Sequence, residues 1–363
     1  MVTTLGKACI LKSGKFIAAK EIHEQYADGL FPCFGGNGIR GYVAEYSHDG
    51  TYPLIGRQGA LCGNVNYANG KFRATEHAVV VQPVEEIDTR WLYYKLTAMN
   101  LGQYATGAAQ PGLAVSKLEQ LPLTIPSYEA QKQTAKMFDL VEHLITLRKG
   151  QLAKLDQLVK SRFVEMFGDP ISNTNRWKIE KAEGHIDLLS GFPFDSTQYA
   201  DFGIKICGGL IIMPQRIDWD SCKYWSSTEG FEEYALEEND IVMALDRPWI
   251  SEGFKIAMVE ADKLPALLIQ RTARIRALDI NQHYLMHCFL LGEFDNHCNV
   301  TGSLVPHISA KDIRSFPIML PPMGLQEQFA SFVEQTDKTK LTIQSSLEKL
   351  EVLKKSLMQE YFN

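Results

Sequence analysis

Two long stretches of the chain place hydrophobic residues at helical spacing. Between Tyr128 and Phe167 there is no proline, and apolar residues recur every three or four positions. The stretch from Leu325 to Phe362 repeats this pattern and contains neither proline nor glycine. Because such spacing gathers apolar side chains on one helical face, we predict two helices of nearly forty residues, each about 55–60 Å long. The first pattern changes phase near residues 148–151, which predicts either a stutter or a local break.

A one-sided apolar stripe of this length has to be covered by another surface. The two helices can cover each other as an antiparallel pair, or each can lie on its own domain. A length beyond the width of a domain favours the coiled-coil pair. The predicted interface between the helices consists of Leu144, Leu152, Leu155, Val159, Ile343, Leu347, Leu350 and Leu357.

The segments that precede these helices carry short apolar runs separated by turn residues such as Asn69-Gly70. The expected strands are 53–56, 78–83, 241–245 and 255–259, and the expected short helices are 91–96 and 284–290. The pattern predicts an α+β protein in which two long antiparallel coiled-coil helices separate two mixed, strand-rich domains. The predicted boundaries are 1–127 for the first domain, 128–168 for the first helix, 169–322 for the second domain and 323–363 for the second helix.

The two halves of the chain end in a repeated segment. Residues 106–168 align without a gap to residues 301–363, offset by 195 positions, and 16 of these 63 pairs are identical. That is about four times the number that average composition would give. A period of this length is too long for a solenoid and indicates a duplicated pair of domain and helix, a pseudo-twofold internal repeat. Because the domains differ more than the helices, the two modules are expected to act on different targets.

Composition narrows the class of protein further. With 363 residues, 45% hydrophobic and 22% charged, the chain fits a globular protein of two or three domains. No apolar run approaches the length of a membrane span, and lysines interrupt the amino-terminal segment, so a cytoplasmic location is expected. The seven cysteines form no CxxC pair and are expected to be reduced. A net charge of −6 means that any contact with nucleic acid requires local basic patches or a partner's charge.

Two related motifs occur where each domain meets its helix. They are TGAAQPGLAVSKLEQLPLTIPSYEAQ at 106–131 and TGSLVPHISAKDIRSFPIMLPPMGLQEQ at 301–328. Together with residues 31–83, they resemble the specificity subunits of type I DNA restriction–modification systems, and the resemblance covers essentially the whole chain. It implies two target-recognition domains, each reading one half of a split DNA sequence, held apart by the paired helices.

The resemblance also implies partners and the absence of catalysis. Such a subunit binds double-stranded DNA and two adenine-methyltransferase modification subunits, and restriction/translocase subunits can join the assembly. It is non-catalytic and holds no cofactor, because S-adenosylmethionine and ATP belong to the partner subunits. If the helices hold the domain centres about 45–60 Å apart, half-sites separated by one or somewhat more turns of DNA are within reach. Since the domain sequences differ, the target should be bipartite and asymmetric.

Candidate DNA contacts combine basic and amide side chains with a glycine-rich loop. Glycine lets the backbone approach phosphates closely, while arginine and glutamine suit guanine and adenine edges respectively. Each arginine could instead be an ordinary surface or ion-paired residue. The candidates are Gly36, Asn37, Arg40, Arg57, Gln58, Lys71 and Arg73 in the first domain and Arg247, Trp249, Arg271 and Arg274 in the second.

Two other functions remain as alternatives. One is a self-contained DNA-modifying enzyme or a metalloenzyme, although the chain lacks GxxxxGK[ST], GxSxG and the adenine-methyltransferase tetrapeptide. The other is a coiled-coil adaptor that binds only proteins. A group of histidines and cysteines could suggest zinc, but neither HExxH nor CxxC accompanies it, and we expect ordinary core residues and no metal. These residues are His283, His287, Cys288, His297 and Cys298.

Overall fold

A computed structural model of the chain describes residues 2–84, 86–107, 111–301 and 306–362. Its packing divides the chain into two compact units. The first unit combines Met1–Gly150 with Ile343–Asn363, and the second unit is Gln151–Thr342. Each unit therefore contains one strand-rich domain and a portion of both long helices. In the described ranges, no helix combines the length and apolar character that crossing a membrane requires.

The first unit is built around a six-stranded sheet. Its elements are strands β1 (Val2–Thr4), β2 (Cys9–Ser13), β3 (Phe31–Gly35), β4 (Gly38–Val43), β5 (His48–Gly56), β6 (Val65–Ala74), β7 (Ala78–Pro83) and β8 (Pro122–Thr124) and short helices α1 (Leu5–Ala8), α2 (Thr89–Ala98) and α3 (Val115–Glu119). The sheet order is β2-β7-β5-β6-β3-β4, and β1 pairs separately with β8. The β3–β6 pairing is parallel, whereas the other pairings of the sheet are antiparallel.

Both faces of the central strands are covered in the first unit. Val79 of β7 belongs to the core that contains Trp91 of α2, whereas Val80 packs on the opposite face with Leu54 of β5. Strands buried on both faces read as uninterrupted apolar runs. This explains why the AVVVQP segment lacks the alternation of a half-exposed strand.

The long helix of the first half is α4 (Tyr128–Phe167), close to its predicted span. The chain leaves α4 at Gly168, whose φ of 82° is left-handed and whose N–H donates to the Val164 carbonyl at 2.8 Å. Glycine is the residue that this type of helix end favours. The helix is continuous through residues 148–151, so the change of phase in its apolar pattern does not break it.

The second unit contains several smaller sheets. Its elements are strands β9 (Ile179–Lys181), β10 (Ile186–Ser190), β11 (Ile204–Cys207), β12 (Ile212–Met213), β13 (Arg216–Ile217), β14 (Lys223–Trp225), β15 (Ile241–Ala244), β16 (Trp249–Ile250), β17 (Gly253–Phe254), β18 (Ile256–Met258), β19 (Ala266–Leu268), β20 (Thr272–Ala277) and β21 (Pro317–Met319) and helices α5 (Gln282–Leu291), α6 (Phe294–His297), α7 (Ala310–Ser315) and α8 (Met323–Phe362). The largest sheet has the order β10-β20-β15-β18, and another has the order β14-β11-β19. β12-β13, β16-β17 and β21-β9 form two-stranded pairs.

The elements predicted from apolar patterns are confirmed. Predicted strands 53–56 and 78–83 lie in β5 and β7, and the two in the second unit are β15 and β18, slightly shorter than expected. The predicted short helices are the central parts of α2 and α5. Both long helices are also present, with α8 starting at the predicted residue 323.

Within each unit, the two long helices run antiparallel, as predicted. As the residue number rises along α4, the partner's number falls along α8, which is the order of an antiparallel coiled-coil pair. The contacts are Phe138 with Phe362, Glu142 with Lys354 and Lys149 with Glu351 in the first unit, and Asp156 with Lys340 and Phe163 with Phe329 in the second.

The residues predicted to form the helix interface lie on the covered side of the helices. All eight are buried or half-buried: Leu144, Leu152, Leu155, Val159, Ile343, Leu347, Leu350 and Leu357. Other apolar residues of the same helices, such as Leu140 and Leu341, are exposed. Burial therefore agrees with the interface, whose contacts remain a prediction.

A repeated glutamine makes the same hydrogen bonds in both units. Gln131 accepts from the Asp88 N–H at 2.8 Å and donates at 3.1 Å to a proline carbonyl five residues earlier. Gln326 accepts from the Asn281 N–H at 2.9 Å and donates at 2.8 Å to the equivalent carbonyl. Asp88 and Asn281 are the N-caps of α2 and α5. The glutamine thus ties the start of each long helix to the short helix of its domain.

Candidate nucleic-acid interface

The glycine-rich loop of the first unit lies against the end of β5. A Cβ added to Gly56 would fall 2.0 Å from the Gly36 carbonyl oxygen, so the backbones meet at a distance that only glycine permits. A Cβ added to Gly36 would lie 3.5 Å from the Gln58 carbonyl oxygen. Asn37 is exposed and accepts a hydrogen bond from Asn64 at 2.9 Å. The loop brings together the predicted residues Gly36, Asn37 and Gln58.

Three predicted basic residues lie on the neighbouring strands. Arg73 of β6 is the register partner of Cys33 in β3. Burial raises the pKa of the Cys33 thiol, and the positive charges of Arg40 and Arg73 oppose this rise. Lys71 is exposed, lies on the same face of β6 as Arg73, and sits 4.9 Å from the centre of the Tyr46 ring. These residues give this part of the first unit a local positive charge.

Arg57 and Gln58 follow β5 and adjoin the loop of the TG motif. Gln58 forms a β-bridge with Gly112, and Gly112 forms another with Thr106. Gln58 is exposed, whereas Arg57 is half-buried and donates from Nη1 to Ser13 Oγ at 3.1 Å. Residues 108–110 of the motif lie outside the described residues.

Several buried polar atoms of this region have no hydrogen-bond partner among the described residues. They are Arg57 Nε, Asn66 Nδ2, Arg73 Nε, Glu76 Oε2 and His77 Nδ1. Buried polar atoms are rarely left unpaired in folded proteins.

The second unit builds the same bridge with other side chains. His307 forms β-bridges with both Asp246 and Thr301. In the first unit, Gly112 forms the corresponding β-bridges with Gln58 and Thr106. The backbone arrangement is thus duplicated, while the side chains at equivalent places differ. Residues 302–305 of the second motif lie outside the described part of the chain.

A basic cleft surrounds this second bridge. It is an open cavity of about 480 Å³ whose lining includes Leu210, Asp246, Arg247, Lys255, Gln270 and Arg271. Arg247 and Arg271 are exposed. Lys255 is buried and donates to the Gly209 carbonyl, and burial and the charge of Arg247 lower its pKa. The cleft brings two predicted arginines together and adds a lysine and an aspartate that sequence reasoning missed.

Two predicted contact residues of the second domain, Arg274 and Trp249, pack against other residues of their own unit. Arg274 is only 6% exposed, because its guanidinium pairs with Asp187 at 2.7 Å and donates to the Glu233 carbonyl at 3.1 Å. Trp249 is half-buried against the core and stacks on Phe254 with ring centres 5.3 Å apart. Arg274 is therefore engaged within the protein, whereas the Trp249 ring stays partly exposed, and DNA contact by either remains a prediction.

The histidines and cysteines considered for zinc make other contacts. His287 is buried, its Nδ1 lies 2.7 Å from the His283 carbonyl, and burial lowers its pKa to about 4. His297 Nε2 lies 3.0 Å from Ser315 Oγ. Across the described ranges, no three or more His, Cys, Asp or Glu side chains form a group that could hold a metal ion. All seven cysteines are free thiols.

A family model described as "Type I restriction modification DNA specificity domain" matches residues 1–157 and 223–353. The chain belongs to this family. The matched ranges include both TG motifs and both bridges between the TG loop and the strand end.

Curated specificity subunits resemble this chain over part of their length. The EcoprrI type I restriction enzyme specificity subunit of Escherichia coli is 54% identical over 142 residues, which cover 39% of this chain and 35% of that protein. The MjaVIII specificity subunit of Methanocaldococcus jannaschii is 23% identical over 292 residues, covering 75% of this chain and 69% of that protein. The chain spans about a third of the length of several curated relatives that it matches.

Solved structures show that the fold is shared. The crystal structure of a type I restriction-modification system S subunit from M. genitalium has a TM-score of 0.66 at 15% identity, covering 100% of this chain and 96% of that chain. Likeness at this identity speaks to architecture alone. The predicted α+β fold, with two strand-rich domains and two long antiparallel helices, is that of a specificity subunit.

Proposed function

We propose that this chain is the DNA sequence-recognition subunit of a type I restriction–modification complex. Each strand-rich domain reads one half of a bipartite target in double-stranded DNA. The paired helices separate the two domains and provide a scaffold for the enzymatic subunits. The chain itself is non-catalytic and acts in the cytoplasm.

The observation that carries this proposal is one backbone frame that occurs twice with different side chains. In the first unit the bridge beside the TG loop is formed by Gln58, and in the second unit by Asp246. Two domains that share a backbone arrangement but present different side chains recognise different base pairs. The target is therefore asymmetric as well as bipartite.

Local charge supports contact with DNA despite the net charge of −6. The first domain presents Arg40 beside its glycine-rich loop and Lys71 on β6, and the second presents Arg247 and Arg271 at its cleft. Because phosphate contacts depend on positive charge, these two small patches give the isolated chain only weak affinity. Partner subunits supply the remaining positive surface.

The partners supply the chemistry. Two adenine-methyltransferase subunits bind S-adenosylmethionine and methylate the target, and restriction/translocase subunits use ATP. This chain holds neither cofactor. Its part in catalysis is to select the DNA sequence and position the methyltransferase subunits on it.

Long-read methylation profiling tests this function. A host that makes the cognate modification subunit is compared with and without this chain, and adenine methylation at one asymmetric bipartite motif is expected only with it. Arg40→Gln should weaken that methylation, whereas Arg176→Gln, at an exposed arginine of a different loop, should not. Methylation that is independent of the chain, or that follows a continuous palindrome, would refute the proposal.

A further inference from the structure

In the cleft of the second unit, a carboxylate contacts the side chain of Arg271. Arg271 Nη1 lies 3.2 Å from Asp246 Oδ2, and Asp246 Oδ1 lies 2.6 Å from Nδ1 of His307. The Arg271 side chain is 71% exposed, whereas that of Asp246 is 23% exposed. A largely covered carboxylate, itself paired with a histidine, is therefore placed to orient an exposed guanidinium.

The backbone on both sides of this pair is strained and tied in place. Arg247 has a φ of 44° and Arg271 a φ of 64°, in the left-handed region that non-glycine residues rarely adopt. The Leu245 N–H donates to the Arg271 carbonyl at 2.9 Å, and the Arg247 N–H donates to the Pro306 carbonyl at 2.7 Å. Strained residues that are held this way concentrate at functional sites.

An arginine in this state has the properties of a base reader. A guanidinium paired at one nitrogen still has other N–H donors. Two parallel donations to O6 and N7 are the commonest specific contact with guanine in the major groove. Such a contact requires a guanidinium whose direction is set in advance, which the Asp246–His307 pair provides.

Resting on the function proposed above, we propose that Arg271 determines specificity in the second half-site by recognising a guanine, with Asp246 and His307 as positioning residues. Arg247, which forms no ion pair within the described residues, contacts phosphate in the same cleft. A free arginine suits a phosphate, because that contact carries no base information.

The first unit lacks this arrangement at the equivalent place. Gln58 takes the position of Asp246, and Gly112 takes that of His307, so no carboxylate orients an arginine there. The proposed guanine contact is thus confined to one half-site. A change at Arg271 must leave the other half-site untouched.

The test compares four variants in the assembled methyltransferase complex by methylation mapping. Arg271→Gln should remove the preference for guanine at one position of the second half-site by about tenfold or more, as expected for a lost bidentate contact. Asp246→Asn should weaken the same preference. Arg247→Gln should lower methylation at all sites alike, and Arg176→Gln, the matched control, should change nothing.

Competition binding of the assembled complex to duplexes that vary the second half-site gives the same ratios where methylation becomes too weak to map. The assignment fails if Arg271→Gln keeps the full guanine requirement, if it weakens all sequences equally, or if the wild-type half-site contains no G·C pair. In those cases the chain still directs methylation, and its proposed function stands. If the wild-type chain directs no methylation, the function itself fails.

Discussion

A single glutamine side chain connects domain and helix in each unit. Gln131 is 1% exposed and Gln326 is 3% exposed, and each satisfies two backbone groups. Replacing Gln131 with leucine would remove the hydrogen bonds to the half-buried Asp88 N–H and to the Pro126 carbonyl, which costs about 0.5–1.5 kcal/mol for each lost bond. We expect Gln131→Leu to lower the free energy of unfolding of the first unit by this order, measured by urea denaturation.

Gln133 is a matched control for this prediction. It is also identical in the repeat, where it corresponds to Gln328, but both residues are exposed. Gln133→Leu should change stability by no more than about 0.5 kcal/mol. Equal losses for Gln131→Leu and Gln133→Leu would mean that the buried hydrogen bonds are not what the repeat preserves.

A buried histidine makes the second unit sensitive to acid. Burial lowers the pKa of His287 to about 4 from its ordinary 6.5, so the folded state keeps the ring neutral. As the pH falls below 6.5, His287 is protonated in the unfolded chain while it is still neutral in the folded protein. Stability is therefore lost as the pH falls from 6.5 to 4, by a total on the order of 3 kcal/mol.

Thermal unfolding between pH 4 and pH 7 checks this dependence. His287→Gln keeps a side-chain donor for the His283 carbonyl and should flatten the decline in melting temperature of the second unit. His143→Gln, at an exposed position of α4, should leave the decline unchanged. If the wild type and His287→Gln lose stability in parallel, His287 is not the responsible group.

The sequence indicates which residue types could contact DNA, but it does not reveal whether each side chain is exposed or paired within the protein. Arg271 and Arg274 are equivalent in the sequence, yet one is exposed in the cleft and the other is buried against Asp187. The carboxylates that decide this difference are remote in sequence, so no local pattern reveals them. The Asp246–His307 pair, 61 residues apart, was missed for the same reason.

At the scale of elements, the duplicated helix ends have a common structural role. Phe362 at the end of α8 lies 5.4 Å from Phe138 and 6.3 Å from Trp91 in the core of the first unit, as ring centres. Phe167 at the end of α4 lies 4.8 Å from Tyr284 in the core of the second unit. Each helix end thus completes a core beside the short helix of a domain.

Removing one of these aromatic rings should loosen the unit that it completes. Phe362→Ala is expected to destabilise the first unit by about 3–5 kcal/mol, since the residue is buried, with 5% exposed. Amide hydrogen exchange should show faster exchange in α2, which carries Trp91. Tyr361→Ala, at the exposed neighbour, should leave exchange in α2 as in the wild type; similar acceleration in both variants would contradict the proposed role of the ring.

Helices and strands with a clear apolar pattern could be predicted from the sequence, whereas the elements that they pack against could not. The stripes of α4 and α8 define each helix locally, and the continuous apolar run of β7 defines a covered strand. The assignment of each helix end to a core depends on contacts between residues such as Lys95 and Phe362, 267 positions apart. The β3–β4 hairpin was missed, because its glycine-rich segment looks like a turn and carries no alternating pattern.

At the scale of the whole molecule, the proposal makes the paired helices a spacer between two readers. Ion pairs and aromatic contacts connect α4 to α8 in both units. A heptad is the unit that can be removed from such a pair while its apolar faces stay in register. Removing one from each helix shortens the pair by about 10 Å, or about three base pairs of DNA.

We therefore expect deletion of residues 145–151 together with the facing residues 345–351 to shorten the unread spacer of the methylated motif by about three base pairs. Both half-sites should keep their sequences, because the deletion leaves the two strand-rich domains intact. Deletion of 145–151 alone is the control: it shifts one helix against the other and should abolish methylation. Long-read methylation maps of the three complexes decide the matter, since a spacer of unchanged length in the double deletion would show that the paired helices do not set the separation.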